Sequence, residues 1–103
     1  IYFMEQEIKV IMWFILIRLK NMRKWGGAHS ELARILKSLP DSCKDNRLIK
    51  KAVKNLVNLE YIGIYKKTGE DHVSLNSRKV EEINKFLTEV KDSIGNEKVY
   101  FGN

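Results

Sequence analysis

The segment Asp45–Leu59 limits what this chain can fold into more than any other part of it. At about 100° per residue, Arg47, Lys50, Lys51, Lys54 and Asn58 fall within about 60° of one direction. Leu48, Ile49, Ala52, Val53, Leu56 and Leu59 gather on the opposite side, with Val57 on the boundary. Such a stretch reads as a helix with one face for a core and the other for solvent or a partner. Asp45 stands where an N-cap belongs. The chain after Leu59 is β-prone: Tyr61–Lys66 (YIGIYK) and His72–Leu75 (HVSL) flank turn chemistry at Lys67–Asp71, which predicts a hairpin.

The rest of the chain reads as helices around this unit. A first helix is expected over Glu5–Trp25, ended by Gly26-Gly27. Ser30 is placed to N-cap a short helix through about Ser38, with Leu32, Ile35, Leu36 and Leu39 apolar. Pro40–Lys44 reads as a turn. Asn76 or Ser77 caps a last helix through about Ile94, where Val80, Ile83, Phe86, Leu87, Val90 and Ile94 keep helical spacing and Gly95 supplies a stop. The residues before Met4 and the tail 96–103 receive no role. The expected fold is mostly α with a small β-hairpin, an α+β domain over residues 4–95. Its order, helix-helix-helix-hairpin-helix, is that of a winged helix-turn-helix.

Charge is concentrated in the same unit. The 103 residues carry a formal net charge of +6. Lys44–Lys67 holds seven cations against two acids, and Arg47–Asn58 contains no acid at all. A one-sided excess of this kind is the electrostatic footprint of a nucleic-acid binder, where a merely solvated face would normally alternate signs. A helix of this composition suits a major groove. Asn46, Arg47, Lys50 and Lys51, in its first half, are the expected base readers, with Lys54, Asn55 and Asn58 completing the contact face. Lys66 and Lys67 sit where a wing begins and are expected on phosphates. Glu70 and Asp71 come immediately after them and would repel a backbone, so an ordinary turn is the competing reading.

The first helix carries more apolar surface than one core needs. Ile8, Ile11, Met12, Ile15, Leu19 and Met22 form one stripe, while Val10, Trp13, Phe14 and Ile17 form another. A helix apolar on all sides must be buried on all sides. The expectation is a homodimer through Val10, Trp13, Phe14 and Ile17. The alternatives are a C-terminal tail laid over the helix, or contact with a membrane surface. The apolar run Val10–Ile17 is eight residues long between Lys9 and Arg18, whereas a spanning helix needs about 20.

Other chemistries find little to stand on. Cys43 is the only cysteine, which excludes an intrachain disulfide and fits a reducing, cytoplasmic setting. His29 and His72 lie far apart in the chain, so neither a metal nor a cofactor is expected. There is no glycine-rich phosphate loop and no nucleophile–base signature, so the reading is of a protein that is not an enzyme. From Lys24 to Leu87 the sequence resembles the winged-helix superfamily of prokaryotic transcription regulators. The residues that carry the likeness are Lys24-Trp25-Gly26-Gly27-Ala28-His29, Leu59-Glu60-Tyr61-Ile62, and Gly69 with His72-Val73-Ser74-Leu75-Asn76 beyond it. They look like those of small archaeal winged-helix proteins. The resemblance implies a duplex DNA partner, but the same fold also serves as a protein-interaction scaffold.

Overall fold

The computed structural model describes residues 2–94. Helix α1 (Tyr2–Asn21) runs through the middle of the molecule and packs against α3 (Asn46–Asn58) and α4 (Val80–Ile94). Ile11, Ile15, Leu16 and Leu19 are wholly buried along it. It stops four residues before the expected Trp25. Its end is a Schellman motif with Arg23 in the left-handed position usually given to glycine (φ 59°). The Arg23 and Lys24 N–H groups donate to Lys20 O and Leu19 O at 3.0 and 2.9 Å. The early stop has a cause in the sheet. Lys24 O accepts from Leu75 N–H at 2.7 Å and Leu75 O from Gly26 N–H at 2.9 Å, so this stretch is needed as extended backbone.

Ser30 does not cap a helix. It is buried in a two-residue strand, β1 (Ser30–Glu31), opposite Val73, and the cap position of α2 (Leu32–Lys37) falls to Glu31, which makes no side-chain cap. The reason is the open edge of β3 (Glu70–Leu75), whose backbone donors and acceptors are satisfied by β1. A short 3-10 turn, Asp41–Cys43, then leads to α3.

Asp45 caps α3 as its position requires: its carboxylate accepts from the Arg47 and Leu48 N–H groups at 2.9 and 3.2 Å. Leu48, Ile49, Ala52 and Leu56 are buried, Val53 is half-buried, and Leu59 stays exposed. A second Schellman motif ends α3. Here Glu60 (φ 63°) takes the left-handed site, and the Glu60 and Tyr61 N–H groups donate to Val57 O and Leu56 O at 2.9 and 3.0 Å. Strand β2 (Ile62–Lys67) comes next and pairs antiparallel with β3, giving a sheet of order β1-β3-β2. The hairpin is tighter than expected. Thr68 and Gly69, both at positive φ (51° and 82°), form a two-residue loop. The strands extend to Lys67 opposite Glu70, because Lys66 and Lys67 face Asp71 and Glu70 across the ladder. Ile62, Val73 and Leu75 bury their side chains toward the helices.

Asn76 caps a 3-10 turn (Ser77–Lys79), its Oδ1 accepting from Arg78 N–H at 3.0 Å, and the turn runs on into α4. Ile83, Leu87 and Val90 are buried. The stop expected at Gly95 lies outside the described residues. The described residues form an α+β fold, mostly helical, with four helices and a small three-stranded antiparallel sheet. Among the described residues no helix is long and apolar enough to cross a membrane.

Candidate nucleic-acid interface

The outer face of α3 is built by subtraction. Four apolar residues commit one side of the helix to the core, and geometry turns Arg47, Lys50, Lys51 and Lys54 outward, where all four are exposed. Their spacing sets every one of them three or four residues from another. Like charges at these separations destabilise a helix by about 0.2–0.5 kcal/mol per pair. Among the described residues none of the four is in an ion pair. Arg47 also lies in the first turn, where the helix dipole disfavours a cation and the Asp45 carboxylate offsets it. From Arg47 to Asn58 the face runs about 17 Å along the helix axis.

The amides divide. Asn46 and Asn58 are exposed. Asn55 leans toward α1, its Nδ2 donating weakly to Met12 Sδ at 3.9 Å. Asn55 and Asn58 also line a groove of about 470 Å³ with Ile8, Met12, Leu59 and Phe86. Asn55 therefore belongs as much to the α1–α3 seam as to the cationic face.

Lys66 and Lys67 also part company. Strand alternation sends them to opposite faces of the hairpin, and Lys66 Nζ is held 3.1 Å from Asp71 Oδ1. Lys67 is exposed and free of any ion pair among the described residues. The charge of the hairpin tip is thus carried outward by Lys67. Lys44, by contrast, lies 3.9 Å from Asp41, an exposed pair of small energetic weight.

The second stripe of α1 is largely covered by the chain itself. Val10 is wholly buried, and Trp13, Phe14 and Ile17 are half-buried against the core. Helix α4 runs back along α1 beside Trp13 and Ile17: Trp13 Nε1–H donates to Leu87 O and Lys20 Nζ to Asn84 Oδ1, each at 2.9 Å. The surplus of apolar surface that suggested a dimer is much reduced by this packing.

Cys43 is buried, and burial pushes its thiol above the usual range, opposed by a hydrogen bond from Ser42. A thiol held protonated is a poor nucleophile. The contact that sequence spacing does not disclose is between the two histidines, His29 and His72, whose rings meet on the sheet. Comparison of the chain with protein-family models, with curated proteins and with solved structures finds no match.

Proposed function

We propose that this protein is a winged-helix protein that binds duplex DNA through α3 and acts in transcription regulation. The observation that carries the reading is the cationic face of α3. Four exposed cations repel one another with no acid among them, on a helix whose other side is fully committed to the core. Such a face costs stability in the free protein, and an array of phosphates would relieve that cost. The element order and the sheet order β1-β3-β2 support the winged-helix assignment. In this reading Arg47, Lys50 and Lys51 meet base edges, Lys54 and Lys67 meet phosphates, and Asn46 and Asn58 flank the contact.

A titration of random duplex DNA across a salt series tests the proposal. Four to six neutralised phosphates give a log–log slope of about −4 to −5, at roughly −0.9 each. Affinity that does not change with salt refutes it. A second reading, a protein-docking module without DNA binding, is favoured by the groove at Ile8, Met12, Leu59 and Phe86. That reading gives no duplex binding at any salt.

A further inference from the structure

His29 and His72 are 43 residues apart, yet their Nδ1 atoms lie 2.8 Å from each other. The rings are inclined at 78° with centroids 4.7 Å apart. His29 belongs to the connector that leads into β1. His72 lies in the middle of the sheet, its Cα partners being Glu31 of β1 and Tyr65 of β2. The Tyr65 ring meets His29 edge to face at 5.2 Å. Alternation along the hairpin sets Tyr65, Lys67, Glu70 and His72 on its outer face, away from Ile64 and Val73. The groups around the pair are therefore Lys24 on the connector, Glu31 on β1, Tyr65 and Lys67 on β2, and Glu70 on β3.

A contact between two Nδ1 atoms needs one N–H and one lone pair. A neutral pair meets that need with the two rings in different tautomers. One added proton preserves it, since an imidazolium can donate to a neutral ring. A second proton leaves two donors face to face and two positive charges beside Lys67 and Lys24. Strand β1, only two residues long, has little ladder of its own to resist the resulting separation.

We propose that His29 and His72 form a proton-sensitive clasp, which holds the connector and β1 to the hairpin until both rings are protonated and then releases them. Desolvation, with Lys67, His72 and Lys24 after it, lowers the His29 pKa below its ordinary value, so the folded chain resists the proton that the unfolded chain accepts. Stability is then complete above the ordinary histidine value of about 6.5 and falls as the pH drops through it. At pH 5.5 the linkage amounts to as much as about tenfold in the folding equilibrium constant, at a pH where carboxylates still contribute little. The clasp is independent of whether α3 meets DNA, and no DNA enters its test.

The test combines denaturant unfolding of the full chain at pH 7.5, 6.5 and 5.5 with amide exchange at Ser30 and imidazole NMR titration of the wild type. The expected result is a fall in the wild-type folding constant toward pH 5.5, up to that bound of about tenfold, early loss of protection at Ser30, and His29 titrating below the ordinary value. His29→Gln should flatten the dependence. Persistence of the full dependence in His29→Gln overturns the proposal. So does protection at Ser30 unchanged at pH 5.5, or an ordinary His29 titration in the wild type, a measurement that needs no variant to fold.

Discussion

Reversing one charge on α3 should make the protein more stable and a poorer DNA binder at the same time. Lys50 is exposed, three residues after Arg47 and four before Lys54. Lys50→Glu removes two repulsive contacts and installs two attractive ones, with the acid N-terminal to Lys54 in the favoured orientation. Four such increments of about 0.2–0.5 kcal/mol come to roughly 0.8–2 kcal/mol at low ionic strength. For a domain of this size each kcal/mol moves the melting temperature by about 4–8 °C. Lys50→Gln removes the repulsion alone and should give about half the gain. In 1 M salt, where the Debye length is about 3 Å, most of the gain should vanish. The assay is thermal unfolding by circular dichroism at 20 mM and 1 M salt, with duplex binding monitored by fluorescence anisotropy. Binding to a preferred duplex should weaken about tenfold or more, with the preference over other sequences relaxed. A melting temperature that falls or does not move at low salt refutes the account of uncompensated repulsion. Unchanged affinity refutes the face as a DNA contact, whatever the stability does.

The remaining expectations address the hairpin and the α1–α4 seam. Lys67→Ala should weaken binding to all duplexes and lower the salt slope by about one unit, whereas Lys66→Ala, whose ammonium is already held by Asp71, should change both less; equal effects would refute the division of roles. Thr68→Asn puts a residue that tolerates positive φ at a position where a β-branched one is strained, and should raise stability by about 1 kcal/mol; a lower melting temperature would show that the Thr68 Oγ1–Lys67 O hydrogen bond outweighs the strain. Trp13→Phe leaves Leu87 O without its side-chain donor and should cost about 1 kcal/mol with no change of mass in sedimentation equilibrium; a change of mass would place Trp13 at a subunit interface.

Local signals carried much of this fold. The alternation of faces on α3, its Asp45 cap, and the β-prone runs around Thr68-Gly69 are each contained within about fifteen residues, and each is realised close to where the spacing puts it. The cationic face of α3 was legible for the same reason, since a helical wheel needs only the helix. The errors occur where a distant strand competes for the backbone. Gly26-Gly27 is a sound stop signal, yet α1 ends at Asn21 because Leu75, far along the chain, takes Lys24 O and offers its own carbonyl to Gly26. Ser30 is a sound cap, yet the edge of β3 claims it. Strand β1 is too short to show any period of its own.

The same limit explains the second stripe of α1 and the histidine pair. A wheel shows that Val10, Trp13, Phe14 and Ile17 need cover, but burial is indifferent to which chain supplies it. Seventy-four residues separate Trp13 from Leu87, and only the return of α4 along α1 brings the indole to that carbonyl. Likewise His29 and His72 carry no mutual spacing signal; they meet because β1 pairs with β3 in a register that sets Glu31 opposite His72. The short strand that the sequence conceals is therefore also the element that creates the clasp. Breaking that register should separate the rings even at neutral pH. Ser30→Pro removes the backbone donor of β1 at its buried position, and with it the β1–β3 ladder. If β1 positions the pair, His29 in this variant should titrate at the ordinary histidine value by NMR; a His29 titration that stays depressed would show that the connector, and not the strand, holds the ring in place.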